Sequence, residues 1–317
     1  MAAVMMLIVA ACGGDGDATT TTASESAGGA SAESFRIAIV APSASNDLAF
    51  TQSIVDGVEA IRGERGNVQV AITDGTFNVD DAAAALRGYA EDGFDLVIAH
   101  GSQYGGSLQE IAPDFPDIAF AWGTAADTFG LSNVFAYEAA SDEGGYVMGV
   151  MAAALSETDV VGVVGPIEVG DAKLYVDGFA AGVVAEEPAT TVNINYTGSF
   201  SDVALASEAA QAHASASADV LTGTAQMVVG AVGVADELGM LWFGTQANQT
   251  SLAPEIVVAS QVYRWEVILR EILTNIDAGT LGGEAFVIDF DNGGLVIEYN
   301  DGYDLPADVR QKADDTI

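Results

Sequence analysis

The chain has 317 residues, of which 9 are Lys or Arg and 46 are Asp or Glu, so its formal net charge is −37 at pH 7. Half of the residues are hydrophobic, which excludes a disordered acidic polymer and allows one large folded domain or two of ordinary size. The electrostatic field of such a negatively charged protein repels phosphate backbones, which argues strongly against nucleic acid as a partner. A carboxylate-coated surface suits a high-salt medium, and an ordinary acidic secreted protein is the alternative.

The first twelve residues resemble a secretory signal that ends in a lipidation site. Ala2–Ala11 is apolar throughout and too short to span a bilayer, which takes about 20 residues. It ends in Val9-Ala10-Ala11-Cys12, and small residues before a single Cys resemble the lipobox of bacterial lipoproteins. Cys12 is therefore the predicted lipidated residue, and its lipid the predicted membrane anchor. The chain has no other cysteine, so no intrachain disulfide can form.

Gly13–Ser34 is predicted to be a flexible tether between that anchor and the folded body. The segment consists mostly of Thr, Ser, Gly, Ala and acidic residues without apolar periodicity. It cannot bury enough surface to offset the entropy of ordering it. A body on such a tether is expected to work just outside a membrane, facing the exterior or the periplasm.

From Phe35 onward, short β-branched runs alternate with helical patterns in two successive series. The first series predicts strand Arg36–Ala41, helix Phe50–Arg62, strand Val68–Thr73, helix Asp80–Ala90 capped near Asn78, strand Leu96–Ala99, helix Leu108–Ala112 and strand Ile118–Trp122. The second series follows Val134–Tyr137 and predicts helix Glu143–Leu155, strand Val160–Val164, helix Leu174–Val184, strand Thr191–Tyr196, helix Asp202–Ser217, strand Val220–Thr222, helix Val228–Leu238 and strand Met240–Phe243. Continuous apolar runs indicate parallel strands that are buried on both faces.

The carboxy-terminal part of the chain is predicted to cross back between two lobes. It contains strand Ile256–Gln261, helix Tyr263–Ile276, and a hairpin of Phe286–Phe290 with Leu295–Tyr299 about Asn292-Gly293-Gly294. The predicted fold class is α/β, with lobe 1 formed by 35–138 and about 256–290, and lobe 2 by 139–255 and about 291–317. Several connecting segments make a hinge, and ligands bind such folds in the crevice at the carboxyl ends of the strands.

Groups typical of catalysis are scarce. His213 lies in a polar helix and is predicted to be solvated, whereas His100 at a strand end is either structural or ligand-facing. The G-x-S-x-G, P-loop and G-x-G-x-x-G patterns are absent from the sequence. We therefore predict no catalytic residue, no metal site and no cofactor, and expect a protein that is not an enzyme.

Aromatic and amide residues recur where the predicted strands end. The residues that share this position are Phe50, Tyr104, Trp122, Phe200, Gln246 and Asn248. Each aromatic residue taken alone fits a hydrophobic core, but their shared position in both lobes favours a ligand site. Aromatic faces supply stacking and amides supply hydrogen bonds, which together suit a flat, polar heterocycle.

Four motifs in order resemble those of the Bmp (basic membrane protein) family, the substrate-binding lipoproteins of ABC importers. They are Asn46–Gln52, similar to D-x-x-F-N; Phe115–Ala121, similar to Y-P-D-x-x-F-x; Glu143–Gly149, similar to an E-G helix between lobes; and Gly198–Asp202, which matches G-S-F-x-D. The resemblance spans about Phe35 to Asp289. It implies the type I periplasmic-binding fold, ABC permease subunits as partners, and a purine nucleoside or nucleobase as the ligand. A sensor that acts on a signalling receptor, or a receptor for a non-purine molecule, is the alternative.

The resemblance also implies roles for individual residues. Phe50 and Phe200 would stack on the two faces of a base, and Asp47 would help to hold it. Three positions depart from the family: its I-D is Trp122-Gly123-Thr124 here, its G-V-D is Gly244-Thr245-Gln246, and its Lys is Tyr263. Two charged partners of the sugar are thus lost, so a free base or another flat heterocycle stays open beside a nucleoside. The predicted ligand-binding residues are Asp47, Phe50, Thr51, Tyr104, Trp122, Thr124, Phe200, Gln246, Asn248 and Tyr263.

Overall fold

Strands and helices alternate along residues 34–317, the part of the chain that the computed structural model describes. The predicted signal segment, Cys12 and nearly all of the tether lie outside these residues. The strands are β1 (Phe35–Val40), β2 (Val68–Thr73), β3 (Leu96–His100), β4 (Ala119–Gly123), β5 (Val134–Ala139), β6 (Val160–Gly165), β7 (Thr191–Tyr196), β8 (Val220–Gly223), β9 (Leu241–Gln246), β10 (Val257–Tyr263), β11 (Ala285–Ile288) and β12 (Leu295–Tyr299). The α-helices are α1 (Phe50–Arg65), α2 (Val79–Glu91), α3 (Gly105–Ile111), α4 (Ser141–Leu155), α5 (Gly170–Glu186), α6 (Val203–Ser215), α7 (Val228–Leu238), α8 (Glu266–Asp277) and α9 (Ala307–Thr316).

Within residues 34–317 the strands form two six-stranded sheets. The first has the order β11-β5-β4-β3-β1-β2, and all of its pairs are parallel. The second has the order β12-β10-β9-β8-β6-β7 and is parallel except for β12, which runs antiparallel to β10. The predicted α/β class with two lobes is confirmed.

The central strands are buried as their apolar runs predict. Every residue of β3 and of β4 is buried, because helices cover both faces of the sheet. The predicted cap of α2 is also present: the Asn78 side chain accepts a hydrogen bond from the backbone N–H of Asp80 at 3.0 Å. Local sequence signals therefore positioned these elements correctly.

The described chain passes between the two lobes three times: between β5 and α4, between β10 and α8, and between β11 and β12. Strand β10 pairs with β9 in the second sheet, which differs from the expectation that all of 256–290 lies with lobe 1. Helix α8 and strand β11 do lie with lobe 1, where Ile268 and Leu269 pack in the same core as Ile54 of α1.

The predicted hairpin of 286–290 with 295–299 is wrong. Strand β11 pairs with β5 in the first sheet, and β12 pairs with β10 in the second. The turn at Asn292 is real, since the Asn292 side-chain oxygen accepts from the backbone N–H groups of Asp289 and Gly294. The turn carries the chain from one lobe to the other, so the two strands that flank it complete different sheets.

Helices α4 and α5 pack unusually closely through glycines. A Cβ on Gly149 of α4 would collide with the backbone oxygen of Phe179, and one on Gly182 of α5 with the backbone oxygen of Tyr146. Only glycine permits this approach of the two backbones. None of the helices in residues 34–317 has the length and apolar composition that a membrane crossing requires.

Candidate ligand-binding site

A cavity lies between the two lobes, where the parallel strands of both sheets end. It encloses about 420 Å³ of space between protein atoms, part of it open to solvent. Its wall in the first lobe consists of Pro42, Phe50, Phe77, Ser102, Gln103 and Thr124, and its wall in the second lobe of Val169, Asp171, Ala172, Phe200, Ala225, Gln226 and Gln246.

Phe50, the first residue of α1, is held in the cavity wall by His100 at the end of β3. The two rings stack with their centroids 4.0 Å apart and their planes 20° apart. His100 Nε2 lies 3.1 Å from the backbone oxygen of Phe50, and Nδ1 lies 2.7 Å from the Tyr137 hydroxyl. Burial lowers the pKa of His100 to about 3, so the imidazole is neutral. It donates from Nε2 and accepts at Nδ1, which makes His100 a structural support for Phe50.

Phe200 lines the opposite wall, on the loop between β7 and α6. The polar residues of its G-S-F-x-D motif shape this loop. The side-chain oxygen of Ser199 accepts from the backbone N–H of Asp202 at 3.1 Å, and the Asp202 carboxylate caps α6 by accepting from the N–H groups of Ala204 and Leu205. The motif thus leaves the Phe200 ring free to face the cavity.

Asp171, in the first turn of α5, is a cavity residue that was not predicted from the sequence. It is only 6% exposed. Its carboxylate accepts from Thr124 Oγ1 of the first lobe at 3.3 Å and from the Tyr263 hydroxyl of β10 at 3.2 Å. Burial raises the pKa of Asp171, and hydrogen bonds from Tyr263, Gln246 and Thr124 oppose that shift. A buried carboxylate therefore lies where the two lobes meet.

Gln246 ends β9 beside Asp171 and is 2% exposed. Its amide lies beside the Asp171 carboxylate and lowers the pKa of that group; since an ionised carboxylate can only accept, the Gln246 nitrogen faces Asp171. The Gln246 Oε1 atom then has no hydrogen-bond partner among residues 34–317, and neither has Oε1 of Gln226. Buried polar atoms are normally paired, so both atoms are positioned to accept from a bound molecule.

Asp47 and Thr51 do not line the cavity but organise the start of α1. Asp47 Oδ1 accepts from the N–H groups of Ala49 and Gln52 at 2.9 and 3.0 Å. Its Oδ2 accepts from the Ser43 hydroxyl at 2.6 Å, and the Thr51 hydroxyl lies 2.6 Å from the same Ser43 oxygen. These bonds fix the loop from which Phe50 projects.

Three other predicted site residues also lie outside the cavity wall. The Tyr104 hydroxyl donates to the Thr76 backbone oxygen at 2.9 Å within the first lobe. The Trp122 indole donates to the backbone oxygen of Gly101 at 3.1 Å and packs in that core. Asn248 is exposed and donates to Glu298 at 2.8 Å. Tyr263 does not line the cavity, but its hydroxyl donates to Asp171, which does. Four of the predicted residues line the cavity directly: Phe50, Thr124, Phe200 and Gln246.

The expectation that His213 is solvated is wrong. His213 is 4% exposed, and its Nε2 lies 3.1 Å from the backbone oxygen of Val163. Gly162 of β6 leaves the space that the imidazole fills, since a Cβ there would lie 2.6 Å from His213 Cγ. Burial lowers the pKa of His213 as well.

The fold is that of a type I periplasmic-binding protein. It has two lobes with mostly parallel sheets, a chain that passes between them three times, and a cavity at the carboxyl ends of the strands. Within that class, the model of the ABC transporter substrate-binding family called Bmp or PnrA-like matches residues 35–314. The chain belongs to this family, which confirms the resemblance of its motifs.

Its relatives carry different names. A Brucella abortus protein named a purine-binding protein is 27% identical over 185 residues, which are 58% of this chain and 52% of that protein, so the match spans about half of the relative. The transcriptional activator protein Med of Bacillus subtilis is 26% identical over 259 residues, 81% of this chain and 80% of the relative.

Solved structures share the fold. A solute-binding protein of an ABC transporter system from Conexibacter woesei superposes with a TM-score of 0.72 at 24% identity, covering 89% of this chain and 94% of that one. A transcriptional activator of the comK gene from Bacillus halodurans does so with a TM-score of 0.74 at 20% identity, covering 88% of this chain and 95% of that one.

Proposed function

We propose that this protein is the extracytoplasmic solute-binding lipoprotein of an ABC importer, which captures a purine nucleoside, a nucleobase or a similar flat heterocycle. The observation that carries the proposal is the pair Phe50 and Phe200, which come from different lobes and face one cavity. The name of the Brucella abortus relative supports a purine-like ligand. Closure of the lobes on the ligand and delivery to permease subunits would complete the cycle.

Stacking between the two rings explains why a bound heterocycle would favour the closed form. Each phenylalanine contributes one face, so the full interaction forms only when both lobes contact the ligand. A ligand shifts the opening equilibrium by its difference in affinity for the two forms. His100 strengthens this arrangement because it holds one of the two rings from behind.

A thermal-shift screen of nucleosides, nucleobases, vitamins, sugars and amino acids tests the ligand class. A ligand at about 100 times its Kd should add about 2.7 kcal/mol to the free energy of unfolding. Phe50→Ala and Phe200→Ala should each weaken binding about tenfold or more, because each substitution removes both a stacking contact and buried apolar surface. Phe129→Ala is the control, since this half-exposed ring lies outside the cavity wall. Shifts by sugars or amino acids alone would contradict the aromatic site.

The lipid anchor is tested separately from the ligand. Cys12→Ala should move the protein from the membrane fraction to the soluble fraction of cells, and unchanged fractionation would contradict lipidation. Incubation with nucleosides followed by chromatography should return them unchanged, as expected of a protein that captures solutes without converting them.

A second candidate function is a ligand sensor that acts on a signalling receptor. It is favoured by the Bacillus subtilis relative, named a transcriptional activator, whose match covers most of both chains. The two functions differ in the partner that the ligand-bound form engages. Ligand-dependent uptake of radiolabelled solute by cells, lost on deletion of this protein, supports transport; retained uptake with altered gene expression supports sensing.

A further inference from the structure

The wall that the second lobe contributes to the cavity carries several hydrogen-bond acceptors. Asp171 contributes a carboxylate, and Gln246 and Gln226 each contribute a side-chain oxygen without a partner among residues 34–317. The Gln246 amide turns its nitrogen toward Asp171, because the opposite orientation would place its oxygen against the carboxylate. A ligand that satisfies this wall must therefore bring donors.

No Lys or Arg side chain within residues 34–317 pairs with this carboxylate. All nine Lys and Arg residues fall within residues 34–317, and each contacts some other group. Eight of them form ion pairs with acidic residues: Arg62, Arg65, Arg87, Lys173, Arg264, Arg270, Arg310 and Lys312. The ninth, Arg36, donates to the backbone oxygen of Asp92 and lies over the Phe94 ring.

The two histidines do not compensate Asp171 either. His100 bonds to Phe50 and Tyr137, and His213 bonds to Val163. The partners of Asp171 are the hydroxyls of Thr124 and Tyr263 and the amide of Gln246, all of them neutral. A buried carboxylate without a cation is costly unless donors surround it.

We propose that Asp171 determines the specificity of the site, by binding ligands that present two adjacent N–H donors to its carboxylate. This inference rests on the function proposed above and narrows it. The two oxygens of a carboxylate accept two parallel N–H bonds, a geometry that adds both strength and selectivity. Guanine has such an edge, formed by its ring N1–H and its 2-amino group, and hypoxanthine lacks the amino group.

The positions of the neighbours fit this role. Thr124 and Tyr263 hold the carboxylate from the first lobe and from β10, so its oxygens keep one orientation when the lobes are closed. Gln246 Oε1 lies on the same wall and offers a further acceptor to an amino group. A ligand that presents acceptors to this wall places its lone pairs against those of the carboxylate and is rejected.

Calorimetric titration of matched ligand pairs tests the inference. Guanine is compared with hypoxanthine and guanosine with inosine, because each pair differs only in the 2-amino group. The wild-type protein should bind the amino-bearing member about tenfold more tightly or better. In Asp171→Asn this preference should fall to within about threefold, since an amide offers one acceptor and one donor.

Two further variants serve as a control and as a second test of Asp171. Asp177→Asn removes the same charge from an exposed position on the same helix and should keep the wild-type preference. Asp171→Ser provides a second cavity variant, and thermal melts establish that each variant is folded.

The outcomes separate this inference from the proposed function. Two results overturn the role of Asp171 and leave the proposed function intact. In the first, purines bind in a way that depends on Phe50 but without preference for the amino group. In the second, the preference survives in Asp171→Asn and Asp171→Ser. 1-Methylnicotinamide is a fixed cation without an N–H donor on its charged ring nitrogen, and tighter binding of it than of guanine overturns the role of Asp171 as well. Failure of every purine to bind contradicts the proposed function itself.

Discussion

The hydroxyl of Tyr263 donates to Oδ2 of Asp171 across 3.2 Å and links the crossing strand β10 to the first turn of α5. Both groups are buried, and neither has a cation beside it. The bond stabilises the ionised carboxylate, yet burial prevails and the pKa of Asp171 is raised above its ordinary value of 3.8. A negative charge on Asp171 is therefore unfavourable in the ligand-free protein.

Asp171→Asn should accordingly raise the stability of the ligand-free protein at neutral pH. A carboxyl whose pKa is raised on folding stabilises the folded state fully below its unfolded pKa, and this contribution is lost as the pH rises through the folded pKa. The wild type should thus be less stable than the variant at pH 7, and the gap should shrink toward pH 4. Urea unfolding at both pH values measures it, and a variant less stable at pH 7 would contradict the assignment.

His100 predicts the opposite pH response. Its pKa falls from 6.5 to about 3 on folding because of burial, so the unfolded chain binds a proton that the folded one does not. The stability from this group is present above pH 6.5 and lost as the pH falls toward 3. Relative to His100→Gln, the wild type should lose about 2 kcal/mol between neutral pH and pH 5. Parallel unfolding profiles of the two proteins in this window would rule the effect out.

The close packing of α4 and α5 predicts a contrast between two glycines. Gly182→Ala should destabilise the protein by about 2 kcal/mol, because the added methyl group meets the backbone of α4. Gly233→Ala in α7 is the matched control, since a Cβ there meets nothing within 4 Å. It should be neutral or stabilising by up to about 1 kcal/mol, through helix propensity. Chemical denaturation of both variants tests the contrast, which equal effects would refute.

Salt should stabilise the folded protein because its formal charge is −37. Screening shortens the range of the repulsion between surface carboxylates to about 3 Å at 1 M salt. The melting temperature should rise clearly between about 0.1 M and about 1 M KCl. Sucrose at matched osmolality is the control for effects unrelated to charge. A melting temperature indifferent to KCl would argue against a halophilic surface.

Much of the fold could be predicted from the sequence because its signals are local. The fully buried strands β3 and β4 are continuous apolar runs, and Asn78 marks the start of α2. The failed hairpin shows the limit of such signals. Asn292-Gly293-Gly294 indicates that the chain turns, but which strands pair depends on distant edges of two sheets.

The candidate site could be predicted only in part. Phe50 and Phe200 stood out because aromatic residues at strand ends are few and lie in recognisable motifs. Asp171 did not, because it is one of 46 acidic residues and differs from the others by its burial between lobes, which no local pattern encodes. His213 was misjudged for a related reason: its alanine-rich helix shows no clear apolar face, and the space for its ring comes from Gly162 on another element.

The passage of the chain between the lobes also sets the order in which the protein can assemble during synthesis. The first sheet is complete only when β11 (Ala285–Ile288) adds to the edge of β5, although its other five strands end at Ala139. Until then the nascent first lobe exposes the edge of β5 and lacks the apolar face of α8. An exposed strand edge invites pairing with other chains. The growing polypeptide is therefore most prone to aggregation after β5 has emerged and before α8 and β11 have been made.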